Sequence, residues 1–536
     1  MKTIIVVLIF ISSFVVSSLA AEWQWSAEVK SVISGETNDH PRAFLWIPAN
    51  CKQVRGVVFG QHNMIEEGIL EHASFRKTMT DLGFAEIWVT PGLNFIFDFN
   101  NGAGEQFTDM VKALAEVSGY SELEFAPVVP IGHSACASYP WNFGAWNPAR
   151  TLAILSIHGD APLTNLTGSG RPNPDWGNRN IDGVPSLMVE GEYEWWEARV
   201  KPAFDFQARF PKASVSFLCD AGRGHFDFSD GLVDYLALFI KKAAQYRLPK
   251  HMPLDKPATL NPVYPQSGWI ADRWRKDENP YATAAPYAKF SGVRKASFWY
   301  FDKEMTDATE KYYATVRGKK DQYIGFSQNN KLLSFNQKLH ARIVANFKPE
   351  SDGLTFHVAP VFTDTLRIKA VNEHVKGTPT VTRICGPVEK INDTTFSVRF
   401  YRMGFNNPKR TGDIWLLGQS NGDAEYKSSV QQLNIRIPLA NKDGQDQKIT
   451  FDSIPNQKFG IQKLKLSAIS NAQMPVYFYV QEGPAEIRNG ELVFAKIPPR
   501  AKYPVKVTVV AWQYGRSIEP KVKSAQPVVR SFYIVR

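Results

Sequence analysis

The pattern of apolar and polar positions divides the chain into two halves. Between about residues 42 and 242, short apolar runs alternate with stretches of helical periodicity, which predicts a parallel sheet with crossover helices. The predicted strands are 56–60, 84–89, 127–131, 151–157, 186–189 and 214–218, and the predicted helices are 66–82, 105–117 and 230–242. The first half is therefore expected to be an α/β unit.

Beyond about residue 248 the pattern changes to alternating polar and apolar runs between turn residues, which indicates β structure with one helix at 302–315. Runs at 476–480, 491–494 and 505–510 have the spacing of a sandwich, so an immunoglobulin-like β-sandwich is predicted at the C-terminal end. The expected divisions are a signal peptide at 1–20, the α/β unit at 21–250, a linker at 251–290, a β-rich domain at 291–442 and the sandwich at 443–536.

The N-terminal segment has the pattern of a secretory signal peptide. Lys2 precedes an apolar run over 4–16, and small residues follow at 17–20. A membrane anchor is the alternative, but the run is shorter than the roughly 20 residues that span a bilayer. We expect an exported protein, periplasmic or secreted, without membrane insertion.

Composition and charge indicate the chemical class of the expected partners. The 536 residues carry 62 Lys and Arg against 52 Asp and Glu, a net charge of +10, which favours anionic partners. The basic residues are scattered and no nucleic-acid-binding motif is present, so an acidic polysaccharide is expected rather than nucleic acid. The four cysteines do not make a disulfide scaffold, His and Cys spacing shows no metal site, and no cofactor is expected. The oligomeric state is not indicated.

Ser134 is the candidate nucleophile. It lies in Gly132-His133-Ser134-Ala135-Cys136, where a buried strand ends among small residues, as in the nucleophile elbow of esterases. The fifth position is Cys136 where glycine is usual. A serine that caps the following helix is the alternative, but it would leave the small-residue setting unexplained.

A serine nucleophile needs a base and an acid. His225 follows the last predicted strand in a glycine-bounded loop and is the expected base; His62, His133 and His158 are competitors that better suit a pocket wall. Glu194, three residues past Gly191, is the expected acid, with Glu192 and Asp160 as alternatives. The order Ser, Glu, His along the chain is that of the α/β-hydrolase fold.

The remaining site predictions concern the oxyanion and the substrate. The backbone N–H of Ala135 and one from Asn63 or Met64 are expected to stabilise the oxyanion. A long loop at 160–182 is expected to act as a lid or binding loop. Arginines and tryptophans near the site suit carboxylates and sugar rings, with Arg223 as the preferred substrate contact. The side chains considered are Arg171, Arg179, Arg199, Arg223, His133, Trp141, Trp146, Trp176, Trp195 and Trp196.

Several of these motifs together resemble a known family. The segments 60–67, 132–135, 191–194 and 222–226, with 301–305 and 497–502 in the second half, are similar to polysaccharide-locus esterases of gut Bacteroidetes. The pectin methylesterase group called carbohydrate esterase family nineteen is the group that the chain resembles most. This resemblance, which extends over nearly the whole mature chain, implies hydrolysis of methyl esters on galacturonic acid in pectin.

Three alternatives stay open. An acetyl esterase on a neutral glycan would use the same three residues. A non-catalytic glycan-binding protein would retain the elbow only as architecture, with Ser134, His225 and the carboxylate out of hydrogen-bonding reach. A peptidase is also compatible with the fold, but the β-rich half follows the catalytic unit and shows no propeller repeat.

Overall fold

The structure is a computed structural model that describes residues 22–164, 171–194, 196–405 and 407–536. The predicted signal peptide and Trp195 lie outside the described residues, and the side chain of Trp196 is not described. None of the described helices combines the length and the apolar character that crossing a bilayer requires.

An eight-stranded sheet organises the first half of the chain. Its strands are β1 (Trp25–Glu28), β2 (Arg42–Trp46), β3 (Gly56–Gln61), β4 (Phe84–Thr90), β5 (Val128–His133), β6 (Ile154–Ile157), β7 (Pro185–Gly191) and β8 (Ser214–Asp220). They lie in the order β1-β2-β4-β3-β5-β6-β7-β8. The pairs β1–β2 and β2–β4 are antiparallel and all the others are parallel. Every residue of β3 to β8 is buried, as expected where helices cover both faces of a parallel sheet.

Six helices pack on this sheet: α1 (Glu66–Leu70), α2 (Ala73–Leu82), α3 (Ala103–Ser118), α4 (Tyr139–Trp146), α5 (Trp196–Arg209) and α6 (Asp230–Arg247). Their ends follow the local chemistry. The Ser229 hydroxyl accepts a hydrogen bond from the Leu232 N–H and caps α6, and α2 and α3 each end at a glycine with positive φ, Gly83 at 70° and Gly119 at 83°.

The sequence patterns located most of these elements. The predicted parallel strands and the helices α3 and α6 are present, with ends that differ by a few residues. The predicted helix 66–82 is two helices, because the chain turns at Glu71 and the extended residue His72 caps α2. The strands β1 and β2 and the helix α5 were not predicted.

Residues 251–316 extend the α/β unit. They contain β9 (Trp269–Asp272), β10 (Ala285–Pro286), β11 (Ser297–Tyr300) and α7 (Lys303–Ala314), which Asp302 caps through the Met305 N–H. β11 lies against β8, where the Ser216 hydroxyl donates to the Trp299 carbonyl and the Tyr300 hydroxyl to the Phe217 carbonyl. The expected linker 251–290 therefore carries two short strands that belong to a sheet packed on the α/β unit.

The β-rich domain has three small sheets. Its strands are β12 (Tyr323–Gln328), β13 (Lys331–Leu332), β14 (Val344–Asn346), β15 (Thr355–His357), β16 (Ala359–Thr363), β17 (Thr380–Cys385), β18 (Val388–Lys390), β19 (Thr395–Val398), β20 (Asp413–Ser420) and β21 (Ser429–Arg436). The sheets have the orders β13-β12-β16, β14-β21-β20-β17 and β15-β19-β18. Phe326, Phe356 and Leu416 lie in the core between them.

The C-terminal unit contains β22 (Ile449–Phe451), β23 (Gln457–Lys458), β24 (Lys463–Lys465), β25 (Ala468–Ser470), β26 (Tyr477–Glu482), β27 (Ala485–Arg488), β28 (Glu491–Phe494), β29 (Val505–Trp512) and β30 (Val528–Val535). A four-stranded sheet has the order β23-β30-β29-β26, a three-stranded sheet has the order β24-β28-β27, and β22 pairs with β25. The unit is thus built of β-sheets, and its immunoglobulin-like character stays a prediction.

The β-rich domain covers the carboxyl ends of the central parallel strands. After β3, the Asn63 carbonyl accepts a hydrogen bond of 2.6 Å from Arg410, and Met64 Sδ lies 3.9 Å from Cys385 Sγ. After β8, the ring of Phe226 lies 5.3 Å from that of Trp415. The carboxyl edge of a parallel sheet is where ligands bind in this class of fold, so the site lies between two domains.

Candidate active site

Ser134 lies at a sharp strand–turn–helix junction. β5 ends at His133, a single 3₁₀ turn covers Ser134–Cys136, and α4 begins at Tyr139. The φ of Ser134 is 54°, a left-handed conformation that is uncommon for a residue with a side chain. A Cβ atom on Gly132 would lie 2.2 Å from the Cys136 carbonyl oxygen, so the turn requires glycine there. This strand order and this junction together define the α/β-hydrolase fold.

The structure places the predicted residues Ser134, His225 and Glu194 in consecutive contact. His225 Nε2 lies 2.7 Å from Ser134 Oγ, and His225 Nδ1 lies 2.5 Å from Glu194 Oε2. The three side chains come from the loops after β5, β8 and β7, whose carboxyl ends are adjacent in the sheet. A hydroxyl on one ring nitrogen and a carboxylate on the other is the arrangement that activates a serine.

Electrostatics favour an ionised Glu194. Burial by itself would raise the pKa of this carboxyl, but His225 opposes it and the net pKa lies below the ordinary value. The other two carboxylates face elsewhere. Glu192 accepts a hydrogen bond of 2.6 Å from the Gly222 N–H, and Asp160 lies 3.5 Å from Arg199. Glu194 is the carboxylate whose oxygen lies against the His225 ring.

Two further histidines hold the backbone of the predicted base. His133 Nε2 and His158 Nδ1 lie 2.7 and 2.6 Å from the His225 carbonyl oxygen, so both rings donate to it. Burial lowers the pKa of His133 well below its ordinary value, which keeps this ring neutral. Burial would also lower the pKa of His158, but Asp220, 3.4 Å from its Nε2, raises it.

These three histidines are also the one group among the described residues whose spacing could hold a metal ion, with ligand atoms within 4.8 Å of one another. Their hydrogen bonds give them a different use. The facing nitrogens of His133 and His158 donate to a carbonyl, and His225 Nε2 is bonded to Ser134. The competitor His62 lies apart from this group and contacts the Thr90 hydroxyl at 2.7 Å.

A buried carboxylate that the sequence reasoning missed lies beneath the elbow. Glu66 is fully buried and accepts hydrogen bonds from three backbone N–H groups: His133 at 2.9 Å, Met64 at 2.9 Å and Asn63 at 3.3 Å. The Asn63 side chain also donates to the His133 carbonyl at 2.8 Å. The peptide that precedes Ser134 is therefore held on both sides.

These bonds correct one prediction. The N–H groups of Asn63 and Met64 were expected to face an oxyanion, but in this structure both donate to Glu66 instead. The reason is local, because Glu66 begins α1 directly after this loop and its side chain returns to the preceding donors. Ala135 directly follows Ser134 in the 3₁₀ turn, and its N–H stays the predicted oxyanion donor.

The predicted substrate-binding side chains are mostly buried. Trp141 is 1% exposed and donates to the Asp160 carbonyl, while Trp176 is 3% exposed and donates to Asn142. His133 is fully buried. These three side chains belong to the core and offer no face to a sugar ring. Arg223 is 9% exposed and donates to Asn421 of the β-rich domain at 3.0 Å, so it joins the two domains.

The β-rich domain contributes a wall to the site that was not predicted. The ring of His340 lies 5.5 Å from the ring of His225 and 5.2 Å from that of Phe226, edge to face in both cases. The ring of Trp415 lies 5.8 Å from that of His340 and 5.3 Å from that of Phe226. A lone histidine in a loop has no local signature, because its partner lies more than a hundred positions away.

No family model and no curated protein matches the sequence. Among solved structures, the chain is similar to a fluorophosphonate-binding serine hydrolase of Staphylococcus aureus, with 11% identity over 41% of this chain and 96% of the other and a TM-score of 0.27. It is similar to a phospholipase/carboxylesterase of Dyadobacter fermentans, with 17% identity over 37% and 95% and a TM-score of 0.27. It is also similar to a dienelactone hydrolase of Anabaena variabilis, with 15% identity over 42% and 97% and a TM-score of 0.28.

Proposed function

We propose that the chain is a serine ester hydrolase that removes methyl esters from galacturonic acid residues of pectin. The observation that supports ester hydrolysis is the contact of the His225 ring with Ser134 Oγ on one side and with Glu194 on the other, at 2.7 and 2.5 Å. In a non-catalytic glycan-binding protein we would expect these three groups to lie out of hydrogen-bonding reach of one another. The distances of 2.7 and 2.5 Å do not fit that expectation. The resemblance of the sequence motifs to pectin methylesterases supports the substrate.

The proposed mechanism follows from this geometry. His225 Nε2 takes the proton of Ser134 as Oγ attacks the ester carbonyl, and Glu194 stabilises the imidazolium that forms. The Ala135 N–H stabilises the oxyanion of the tetrahedral intermediate. His225 then gives its proton to the departing methoxy group, which releases methanol and leaves the uronyl group on Ser134. His225 then deprotonates a water molecule, which attacks this acyl-enzyme. The bond to Ser134 Oγ breaks, Oγ takes the proton from His225, and the uronate is released with its free carboxyl group.

The experiment is methanol release from methylated pectin by the wild type, Ser134→Ala and Ser138→Ala. Ser138 is a matched control because it is a buried serine near the elbow whose side chain does not cap the helix it precedes. We expect Ser134→Ala to lose at least about 10³-fold in kcat, since the nucleophile is removed, while Ser138→Ala keeps its activity. Full activity in Ser134→Ala would refute the mechanism. Release of acetate without methanol would refute the methyl ester substrate.

A further inference from the structure

Arg367 lies in a tight loop of the β-rich domain, directly after β16. The loop is closed by a backbone hydrogen bond of 3.0 Å from Asp364 N–H to the Lys369 carbonyl and another of 2.9 Å from Arg367 N–H to the Asp364 carbonyl. The φ of Arg367 is 57°, a left-handed conformation that a long side chain rarely adopts. Strained backbone of this kind persists where the surrounding structure enforces it, often beside ligands.

Aromatic rings fix the position of the Arg367 guanidinium. Its central carbon lies 4.7 Å from the ring centre of Tyr323 and 4.6 Å from that of Phe335. Contacts of this kind use the faces of the guanidinium plane and leave its N–H groups to bind in the plane. Nη1 donates to the Thr365 carbonyl at 3.2 Å. The buried Nε has no hydrogen-bond partner among the described residues.

This guanidinium also has no ion-pair partner among the described residues. No described carboxylate oxygen lies within 4.0 Å of Arg367 or of Arg342, whose Nη1 donates to the Gln337 carbonyl. Burial lowers the pKa of Arg367; Tyr323, Tyr193 and Asp364 oppose this shift, and the charge of Arg342 adds to it. A half-buried guanidinium with an unused donor, and a second arginine in the neighbouring loop, provide a receptor for an anion.

This pair lies beside the proposed triad. Phe335 leads into the loop 336–342, which a hydrogen bond of 2.8 Å from Asn336 N–H to the Arg342 carbonyl closes. The same loop places His340 against the ring of His225.

We propose that Arg367, with Arg342 beside it, forms a subsite for a carboxylate, which binds an unesterified uronate next to the ester that is cleaved. This inference rests on the proposed function for the identity of the ester. A carboxylate supplies two in-plane acceptors and one negative charge, which matches the edge of a guanidinium. A neutral sugar hydroxyl would satisfy Nε but leave the two cations unbalanced.

The test compares Arg367→Gln and Arg367→Lys with the wild type on two substrates. These are partly methylated oligogalacturonate, which carries free carboxylates, and 4-nitrophenyl acetate, which carries none. We expect kcat/KM on the oligouronate to fall about 10- to 100-fold in Arg367→Gln, with incomplete recovery in Arg367→Lys because an ammonium lacks the planar fork. Activity on 4-nitrophenyl acetate stays unchanged. Arg436→Gln, at an arginine that is 74% exposed beside Asp413, is the matched control and keeps both activities.

A second measurement separates this inference from the proposed function. Unesterified trigalacturonate is titrated calorimetrically into Ser134→Ala and into the double variant with Arg367→Gln. We expect the double variant to bind at least about 10-fold more weakly. Equal binding by the two proteins, or an equal loss of activity on both substrates, would overturn the subsite while methanol release still supports the hydrolase. Arginine-dependent binding by a protein that releases no methanol would support the subsite and overturn the pectin methylesterase.

Discussion

Replacing Glu66 with glutamine, a side chain of the same shape, removes one hydrogen-bond acceptor beneath the elbow. In the wild type Glu66 Oε1 accepts the His133 N–H, and Oε2 accepts those of Met64 and Asn63. A glutamine amide has one oxygen, so in either orientation its NH₂ group faces at least one backbone donor. The loop after β3 or the peptide before Ser134 must then move. A displacement of about 1 Å at a catalytic group costs about 10²-fold in rate, so we expect kcat to fall about 10- to 100-fold.

The contribution of Glu66 to the free energy of unfolding is expected to fall as the pH rises. Burial raises the pKa of Glu66 from 4.5 to about 7 against the effect of its backbone donors. Because the folded pKa exceeds the unfolded one, the stability that Glu66 contributes is complete below about 4.5 and is lost as the pH rises through about 7. At about 1.4 kcal/mol per pH unit, the wild type loses about 3 kcal/mol over this window, and glutamine, which does not ionise, loses none.

The assay is urea unfolding of both proteins at about pH 5 and about pH 8, followed by tryptophan fluorescence, with kcat measured on 4-nitrophenyl acetate. We expect the unfolding free energy of Glu66→Gln, relative to the wild type, to rise by up to about 3 kcal/mol between these two pH values. Glu105→Gln, at an exposed glutamate on α3, is the control and shows neither effect. An unchanged kcat, or a relative stability that falls as the pH rises, would refute the reasoning.

Other changes test other parts of the site. Glu194→Gln removes the negative charge beside His225 Nδ1, so kcat is expected to fall about 10³- to 10⁴-fold while the melting temperature stays unchanged. A loss of less than 10-fold in steady-state kinetics would contradict the role of Glu194 as the triad acid. Gly132→Ala places a Cβ 2.2 Å from the Cys136 carbonyl oxygen and is expected to destabilise the fold by about 1–3 kcal/mol in urea unfolding. Gly35→Ala is the control, because a Cβ there meets no atom within 4 Å and φ is not positive; an equal loss in both variants would contradict the steric explanation. The four cysteines are free and buried, so a thiol reagent should modify none in the native protein and four in urea; fewer than four would reveal a disulfide.

The parts of the fold that local patterns encode were predictable from the sequence. Buried parallel strands appear as short apolar runs, and the elbow at Gly132 and Ser134 appears as small residues at a strand end. The structure confirms the α/β unit, and the order of strands brings Ser134, Glu194 and His225 together as the order of motifs along the chain suggested. β1, at the edge of the sheet, and its neighbour β2 escaped prediction because they are short antiparallel strands of four and five residues.

The parts that depend on distant contacts were not predictable. Glu66 reads as an ordinary first-turn acidic residue of a helix, and only the fold shows that three backbone donors converge on it. His340 and Arg367 lie in loops of a separate domain, and nothing near them in sequence indicates a contact with the site. Trp141 and Trp176 were wrongly taken for sugar platforms, because composition does not distinguish a core tryptophan from an exposed one.

The contact between the loop 336–342 and His225 has a consequence for the order in which the protein is made. A ribosome completes Ser134, Glu194 and His225 well before it reaches His340, Trp415 or Arg367. The three reacting groups and the wall around them therefore enter the polypeptide at different times. A stop codon or frameshift between the codons for Phe301 and His340 would therefore keep Ser134, Glu194 and His225 in the chain and remove His340 and Trp415, the residues that lie against His225 and Phe226.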